Sequence, residues 1–298
     1  MSSPQSNTPS PLIKMVIPKG RLQEKVIALL KQIGVKLTFN DRSYRPMVSD
    51  PVLTVKLLKA QNIPALISLG RHDCGFTGHD WVLESKEDQP EPLESLLDLG
   101  FNKVRIVAAV PEDILENGQL PDRKMVVATE YPNLAKSYLE KKGVQSVIIK
   151  TYGATEALPP EDADMIVDNT STGNTLRMNR LAIIDTLLNS TTHFICSKQA
   201  LSNPAKKEKL TQMTMLMQST LNAQEKVLLE MNVPSDRIDA LVTGLPAMKS
   251  PTIAQLHGGD GFAVKTAVAA KDVPNLIPQL LEIGARDILE YRLEKLVP

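Results

Sequence analysis

The chain has 298 residues, a length that predicts about two domains with room for a small third. Hydrophobic residues make up 42% of the chain and charged residues 23%, which excludes collagen-like and mostly disordered proteins. The 34 Lys and Arg residues balance 34 Asp and Glu residues, and aromatic residues are few (4%), so neither nucleic acid nor a membrane is expected as a partner.

Residues 1–11 are predicted to form a disordered tail, because Ser, Pro, Asn and Gln dominate and the apolar core of a signal peptide is missing. No later run of about eighteen apolar residues could span a membrane. Cys74 and Cys196 each lie in an apolar stretch outside any CxxC motif. These features predict a cytoplasmic protein with reduced cysteines.

The first predicted lobe begins with an apolar strand at residues 12–17. Pro18-Lys19-Gly20-Arg21 follows it, and then an amphipathic helix that ends near Gly34. A strand, a glycine-containing turn and a helix in this order open an α/β domain. The next predicted elements are a strand at 52–58, a loop-rich passage at 70–78 and a helix at 79–84.

The second predicted lobe is another series of alternating strands and helices. One helix starts at Pro132 and closes with Lys141, Lys142 and Gly143, residues that favour a helix C-terminus. The last two strands of the series are expected to carry the chain back toward the first lobe. The predicted strands lie at 104–110, 125–128, 144–149, 163–167, 182–187 and 193–197.

The final part of the chain predicts the element order βαββαβ, which is the ferredoxin-like pattern. Ser235 is predicted to cap the first helix, and Gly284 ends the second. Between them, residues 252–256 and 262–268 flank a glycine-rich turn as a hairpin.

The most informative segment for function runs from Asp168 to Leu176 and follows a buried strand. Its sequence is Asp-Asn-Thr-Ser-Thr-Gly-Asn-Thr-Leu. Small hydroxyl residues around a glycine allow backbone N–H groups to surround a phosphate, and Asp168 can accept hydrogen bonds from ribose hydroxyls. The segment predicts a site for a phosphorylated sugar, with an ordinary polar turn as an equally weighted alternative.

Two further segments are candidates for the same site. Lys19 and Arg21 flank Gly20 between a strand and a helix, where cations can meet phosphate oxygens. In the stretch 75–80, Asp80 follows two glycines in the sequence and lies near the start of a predicted helix. The alternative for Lys19 and Arg21 is solvated charge on a loop, and the alternative for Asp80 is an ordinary carboxylate in the first turn of a helix. GxxxxGK[ST], GxGxxG and HExxH are absent, which disfavours P-loop, Rossmann and zincin functions.

Several motifs follow one another in an order typical of one enzyme family. They are Val16-Ile17-Pro18-Lys19-Gly20-Arg21-Leu22, Gly75-Phe76-Thr77-Gly78-His79-Asp80, Ala128-Thr129-Glu130-Tyr131-Pro132-Asn133, Gly153-Ala154-Thr155-Glu156, the strand 163–168 running into Ser171-Thr172-Gly173-Asn174-Thr175-Leu176, Met231-Asn232-Val233-Pro234 and Lys249-Ser250-Pro251-Thr252. Taken together, these segments resemble the long form of ATP phosphoribosyltransferase, the first enzyme of histidine biosynthesis.

The resemblance implies an α/β fold with a two-lobed, periplasmic-binding-protein-like catalytic part and a C-terminal ferredoxin-like domain. Lobe I would comprise 12–101 and 190–222, and lobe II 102–189. The regulatory domain would comprise 223–298. The implied reaction transfers the phosphoribosyl group of phosphoribosyl pyrophosphate to N1 of ATP, with Mg²⁺ carried on the pyrophosphate instead of by protein ligands.

The resemblance also implies roles for the candidate residues. Lys19, Gly20 and Arg21 would face ATP or the pyrophosphate, with Lys19, Arg21 and Asp80 as the catalytic set. The residues implied to bind phosphoribosyl pyrophosphate are Glu156, Asp168, Thr170, Ser171, Thr172, Gly173, Asn174 and Thr175.

Feedback inhibition by histidine is implied for the C-terminal domain. Its contacts would be Asn232, Thr252, Ala267 and Asp287, with Asn232 standing where an acidic residue is expected. A homo-oligomer between dimer and hexamer is implied as well. Two rival functions share parts of this sequence pattern: a non-catalytic two-lobed small-molecule binding protein with a sensor domain, and a phosphoribosyltransferase for another base.

Overall fold

The computed structural model describes residues 13–40, 43–115, 118–245 and 251–297, so the predicted tail lies outside the described residues. The chain divides into two compact units. The first extends to Leu210 and the second starts at Thr211, with Gln32–Gly34 grouped with the second. This division falls near the start of the helix Pro204–Gln224, whereas the predicted boundary after residue 222 lies near the end of that helix.

The described ranges contain strands β1–β16 and helices α1–α9, numbered in chain order. The strands are Ile13–Lys19, Leu37–Thr38, Met47–Val48, Leu53–Lys59, Cys74–Gly78, Leu93–Asp98, Val104–Pro111, Met125–Thr129, Ser146–Lys150, Met165–Thr170, Leu181–Ser190, Thr192–Ser197, Lys226–Pro234, Thr252–Gln255, Gly261–Ala269 and Arg286–Arg292. The helices are Gln23–Gln32, Ile63–Ser68, His79–Glu84, Pro132–Lys142, Asn174–Met178, Lys198–Ser202, Pro204–Gln224, Ile238–Gly244 and Val273–Ile283. None of these helices is long and apolar enough to cross a membrane.

The first sheet has the strand order β4-β1-β5-β12-β6. β1 pairs in parallel with β4 and β5, while β12 runs antiparallel to β5 and β6. Ile13, Met15, Val16 and Ile17 of β1 are fully buried, as expected for a strand covered on both faces. The carboxyl ends of β1, β4 and β5 therefore lie along one edge of the sheet.

The prediction of a loop over residues 70–78 is wrong in its second half, where β5 forms an entirely buried strand. Gly75 provides the reason. A Cβ atom at Gly75 would lie 2.7 Å from both the side chain and the carbonyl oxygen of Val16. Close packing of β5 against β1 therefore requires a residue type that strand propensity disfavours, and the sequence pattern alone indicated a turn.

The second sheet has the strand order β11-β7-β10-β8-β9. β10 runs parallel to β8 and antiparallel to β7. The strand that was predicted to end at residue 167 continues to Thr170, because Asp168, Asn169 and Thr170 pair with β7. The loop of the candidate sugar-phosphate site is thus shorter than predicted and starts at Ser171.

Two chain segments connect the sheets, one between β6 and β7 and the other between β11 and β12. Leu99 N–H donates to the Thr192 carbonyl at 2.9 Å, and Thr192 N–H donates to the Phe101 carbonyl at 3.1 Å. Thr191 Oγ1 donates to Asp98 Oδ1 at 2.6 Å. Two α/β lobes joined by paired crossovers confirm the predicted two-lobed architecture.

The second unit contains the predicted βαββαβ order, formed by β13, α8, β14, β15, α9 and β16. Its sheet order is β14-β15-β13-β16, with all neighbours antiparallel, and this confirms the ferredoxin-like prediction. Val227, Leu229, Met231 and Val233 of β13 belong to its hydrophobic core together with α8 and α9 residues. Ser235 does not cap α8, because it lies in a short 3₁₀ turn and makes no capping hydrogen bond.

Candidate active site

The edge of the first sheet lines a cavity of about 360 Å³ in the first unit. Lys19 ends β1, Lys59 ends β4 and Gly78 ends β5, and all three residues contribute to the lining. The carboxyl edge of a parallel sheet is where α/β proteins bind ligands. Residues of the second lobe, including Tyr131 and Asn169, complete the lining.

The predicted cationic turn contributes Lys19 and Arg21 to this cavity. Lys19 Nζ lies 4.7 Å from the ring centre of Tyr44 and 3.4 Å from its hydroxyl oxygen. Gly20 has a φ of 92°, and its N–H donates to Gln23 Oε1 at 3.4 Å. Because glycine adopts positive φ without strain, Gly20 allows the tight turn that places a cation on each side.

A chain of hydrogen bonds beside the cavity joins the first lobe to the second. The Tyr131 hydroxyl donates to Asp80 Oδ2 at 2.8 Å and accepts from Asn169 Nδ2 at 3.2 Å. Ser190 Oγ donates to Asp80 Oδ1 at 2.6 Å. Asp80 is only 4% exposed and Tyr131 only 1%. Asp80 therefore lines the cavity, as the resemblance implies, but both of its carboxylate oxygens already have protein donors.

Local packing keeps this chain of hydrogen bonds in place. A Cβ atom at Gly78 would overlap Asp80 Oδ1, so the carboxylate occupies space that only a glycine leaves open. The rings of Trp81 and Tyr131 are stacked, with centroids 4.3 Å apart. Burial and the nearby charge of Asp80 raise the pKa of Tyr131, which keeps its hydroxyl protonated and able to donate.

Glu84 makes a second connection between the lobes. Its carboxylate oxygens accept the N–H groups of Asn133 at 3.0 Å and Leu134 at 2.9 Å, in the first turn of α4. Helix N-termini carry unpaired N–H groups that favour an anion. Burial raises the pKa of Glu84 despite these donors. The N-terminus of α4 is thus occupied by the protein's own carboxylate.

The loop after β10 lines a second cavity, of about 340 Å³. The structure gathers at this cavity every residue that the resemblance assigns to phosphoribosyl pyrophosphate except Gly173. Gly173 shapes the loop instead: its φ is 79°, and its N–H donates to Thr170 Oγ1 at 3.0 Å. The lining residues are Arg21, Glu156, Asp168, Asn169, Thr170, Ser171, Thr172, Asn174, Thr175 and Leu176.

Asp168 sits in an unfavourable place for a negative charge. Burial, together with repulsion from Glu130 and Glu156, raises its pKa to about 6, although Asn169 N–H donates to Asp168 Oδ1 at 2.6 Å. Carboxyl groups with raised pKa values are common at functional sites. A ligand that brings hydroxyl donors would offset the cost of ionising this group.

The two cavities adjoin, because Arg21 and Asn169 contribute to the lining of both. Asn169 also reaches the Tyr131 hydroxyl, so one residue links the loop after β10 to the chain of hydrogen bonds at Asp80. Two ligands bound in the two cavities would therefore meet near Arg21 and Asn169, an arrangement suited to a reaction between them.

No cluster of three or more His, Cys, Asp and Glu side chains is placed to hold a metal ion within the described ranges. The carboxylates that line the second cavity are those of Asp168 and Glu156. Carboxylate oxygens suit Mg²⁺, which keeps several waters and binds through a few protein ligands plus substrate phosphates.

The four residues implied to contact histidine lie on the face of the second unit's sheet opposite its helices. The buried residues of β13 alternate with Leu228, Glu230 and Asn232, whose partners across the sheet include Ala267 and Lys265. Thr252 pairs with Lys265 on the same face. Asn232 Nδ2 donates to Asp287 Oδ2 at 3.0 Å. Asn232 and Asp287 are therefore joined by a hydrogen bond on this face.

Comparisons with known proteins identify the family of this chain. The family model for ATP phosphoribosyltransferase matches residues 59–219, and that for the HisG C-terminal domain matches 223–295. The ATP phosphoribosyltransferase of Thermodesulfovibrio yellowstonii is 41% identical over 290 residues, covering 96% of this chain and 99% of that protein. The chain belongs to the ATP phosphoribosyltransferase family. The ATP phosphoribosyltransferase of Pelotomaculum thermopropionicum is 40% identical over 289 residues, again covering 96% and 99% of the two chains.

A solved structure gives the same result. A chain of the ATP phosphoribosyltransferase HisG:HisZ complex from Thermotoga maritima superposes with a TM-score of 0.60 at 30% identity, covering 69% of this chain and 98% of that one. This ATP phosphoribosyltransferase is of the long form, since the match to the C-terminal domain follows the catalytic match. It catalyses the first step of histidine biosynthesis, and a non-catalytic binding protein is not favoured.

Sequence reasoning assigned no role to three residues that line the cavity at the edge of the first sheet in this ATP phosphoribosyltransferase: Lys59, Glu130 and Tyr131. Lys59 follows an ordinary apolar strand, and Tyr131 resembles a core aromatic. Glu130 and Tyr131 lie inside a motif quoted for the family resemblance, and that was the available signal. The bond between Tyr131 and Asp80 joins residues 51 positions apart, so no local pattern could have indicated it.

Proposed function

We propose that phosphoribosyl pyrophosphate binds in the cavity formed by the loop after β10 and that ATP binds in the adjoining cavity at the edge of the first sheet. The observation that carries this proposal is the convergence of Asp168 with the hydroxyl-rich loop 170–175 around one cavity. Asp168 would accept hydrogen bonds from the ribose hydroxyls, with Glu156 beside it. The hydroxyl and backbone N–H groups of the loop would bind the 5′-phosphate.

Adenine N1 of ATP then attacks the anomeric carbon of the ribose, and the bond from that carbon to pyrophosphate breaks. The electron pair leaves with pyrophosphate. Positive charge builds on the ribose beside Asp168, and negative charge builds on the leaving group, where Lys19 and Arg21 would stabilise it. Adenine N1 carries an available lone pair, so no strong general base is needed to activate it. Positioning of the two substrates supplies much of the rate increase.

Asp80 would act by holding the cavity wall in place and not by transferring a proton. Its two oxygens accept from Tyr131 and Ser190, which hold the carboxylate in one orientation within the wall. This role fits a residue that lines the cavity while remaining almost fully buried.

Mg²⁺ would enter on the pyrophosphate of the sugar donor. Asp168 and Glu156 are oxygen donors of the kind that Mg²⁺ accepts, and the ion would neutralise charge on the leaving group. Chelation of Mg²⁺ is therefore expected to abolish turnover, and added Mg²⁺ is expected to restore it.

Histidine would bind the open sheet face of the second unit, near Thr252, Ala267 and the hydrogen-bonded pair of Asn232 and Asp287. We expect Thr252→Ala to weaken inhibition by histidine and to leave the uninhibited rate unchanged. Unaltered inhibition in that variant would remove Thr252 from the site. A homo-oligomer and a cytoplasmic location complete the proposal, and the two free, buried cysteines support a reducing compartment.

The experiment that tests this function is the release of pyrophosphate from ATP and phosphoribosyl pyrophosphate with Mg²⁺, followed with and without histidine. Turnover that requires both substrates is expected. Turnover that persists when ATP is replaced by a free nucleobase would indicate a transferase for another base. A folded sample without turnover would contradict the proposed function.

A further inference from the structure

A third depression, of about 470 Å³, lies beside the two cavities and has no role in the function proposed above. Three cationic side chains line it: Arg21 after β1, Lys25 on α1, and Lys103 in the crossover between β6 and β7. Phe101 and Ser171 are also part of its lining. No Asp or Glu contributes to this lining among the residues described.

The positive charges in this depression have no counter-charge among the described residues. Within the described residues, none of the three cations forms an ion pair, although other lysines do: Lys206 lies 2.6 Å from Asp73, and Lys142 lies 2.8 Å from Asp185. The whole chain has a formal net charge of zero, so this excess is local. Like charges that converge without a counter-charge repel each other, and a bound anion would relieve that repulsion.

The position of the depression indicates which anion it would hold. Arg21 lines this depression and both cavities. Asn102 is shared with the cavity at the edge of the first sheet, and Ser171 is shared with the cavity of the loop after β10. An anionic tail that leaves a ligand in either cavity would therefore pass Arg21 and enter the depression.

We propose that Lys25 and Lys103, together with Arg21, form a subsite for a condensed phosphate chain of a substrate. This inference rests on the proposed function and deepens it. Lysine ammonium groups bind phosphate oxygens as mobile point charges, which suits a flexible chain of phosphates. Lys25 Nζ lies 5.6 Å from the ring centre of Phe101, a contact that holds the ammonium near the depression. The tail would be the triphosphate of ATP or the pyrophosphate of the sugar donor.

The test uses the full-length Lys25→Met/Lys103→Met double variant, with Lys136→Met as control. Lys136 is an exposed lysine on α4 that lines none of the three depressions. The double variant is expected to raise the KM of one substrate by about tenfold at low salt, with a smaller change in kcat. A raised KM for ATP identifies the triphosphate, and a raised KM for phosphoribosyl pyrophosphate identifies the donor. The control is expected to stay within about twofold.

A binding measurement separates this inference from the proposed function. Titration with inorganic tripolyphosphate, followed by calorimetry, is expected to show about tenfold weaker binding to the double variant, a difference that shrinks at high salt. If the unchanged protein shows no turnover, the proposed function fails while this titration still reports on the cation cluster. A folded double variant with unchanged KM values and unchanged tripolyphosphate binding would overturn the inference.

Discussion

Two carboxylates in the cleft differ in how well the protein satisfies them. Asp80 accepts from the Tyr131 hydroxyl and from Ser190 Oγ, two groups that hold it from both sides. Asp168 accepts from the backbone and side-chain nitrogens of the next residue, Asn169, and a hydrogen bond from the Thr155 side chain also lowers its pKa, yet burial keeps that pKa raised. Both oxygens of Asp80 are thus hydrogen-bonded within the cavity wall, whereas the hydrogen bonds of Asp168 do not compensate for its burial.

The environments of Asp80 and Asp168 differ in the same way as their hydrogen bonds. Asp80 is buried behind a glycine and near a stacked aromatic pair. Asp168 faces a cavity, and burial together with Glu130 and Glu156 raises its pKa to about 6. A protein that binds a ligand needs both kinds of surface, because rigid walls position a substrate and unsatisfied groups attract it. The comparison assigns Asp80 to the first task and Asp168 to the second.

The strongest test of this division is Asp168→Asn. We expect kcat/KM for phosphoribosyl pyrophosphate to fall about 100-fold, because a charged acceptor for the ribose hydroxyls is lost. Stability at pH 7 is expected to rise by about 1–2 kcal/mol, because the folded-state pKa lies above the ordinary value and ionisation therefore destabilises the fold. Urea unfolding measures this gain, which should shrink as the pH falls below 6 and disappear below about pH 3, where Asp168 is protonated in both the folded and the unfolded state.

Asp185→Asn is the matched control for that experiment. Asp185 is a carboxylate outside both substrate cavities, and hydrogen bonding from Lys142 lowers its pKa. Its replacement should give no gain in stability at pH 7 and no change in the kinetics. Unchanged kinetics for phosphoribosyl pyrophosphate in Asp168→Asn would remove Asp168 from the site.

The next largest effect is expected for Tyr131→Phe. This change leaves Asp80 Oδ2 without its donor in a buried place and removes one of the two acceptors of Asn169 Nδ2, which should reduce the free energy of unfolding by about 1–3 kcal/mol. We expect kcat to fall about tenfold, because the wall between the substrates loosens. Thermal unfolding and steady-state kinetics measure the two effects.

Tyr138→Phe provides the control for Tyr131→Phe. Tyr138 is only partly buried on α4, and burial and Asp185 raise its pKa to about 12. Removing this hydroxyl should cost less than about 1 kcal/mol and leave activity unchanged. If Tyr131→Phe proves as stable as Tyr138→Phe, Asp80 is not part of a rigid wall.

The same contrast explains how far the sequence could predict the site. The loop after β10 was found from its residues, because Asp168, Ser171 and Gly173 are neighbours in the chain and their chemistry is local. The wall at Asp80 depends on Tyr131, Asn169 and Ser190, which are far apart in sequence and meet only in the folded chain.

Prediction of the fold from the sequence is limited in a similar way. The two α/β lobes and the βαββαβ unit followed from apolar periodicity and from glycines at helix ends, such as Gly143 and Gly284 with their positive φ values. The sequence does not predict β5, because its glycine at position 75 is explained by close packing against Val16, a residue 59 positions earlier. β10 was predicted too short, since the polar residues Asp168 and Asn169 continue its pairing with β7.

The pH dependence of the reaction gives a smaller effect. Because Asp168 must be ionised to accept strongly from ribose hydroxyls, kcat/KM for phosphoribosyl pyrophosphate should fall as the pH is lowered through about 6. Below that value the loss should approach about tenfold per pH unit. A profile between pH 5 and 8 measures this limb. The Asp168→Asn variant should lack the limb, and its profile reports any titration of the substrate itself.

The smallest effect concerns the neighbours that raise the pKa of Asp168. Repulsion from Glu156 is one of those causes, so Glu156→Gln should move the acid limb of the pH profile to lower pH by roughly 0.3–0.5 unit. The direction is fixed, because removing a negative charge makes ionisation of Asp168 easier. The position of the limb reports this shift even if the variant binds substrate more weakly. Glu161→Gln, at an exposed residue outside both cavities, should leave the limb in place. A limb that moves upward in Glu156→Gln would mean that Glu156 favours the charge on Asp168, and Asp168 would then no longer stand apart from Asp80 as the carboxylate left in need of a ligand.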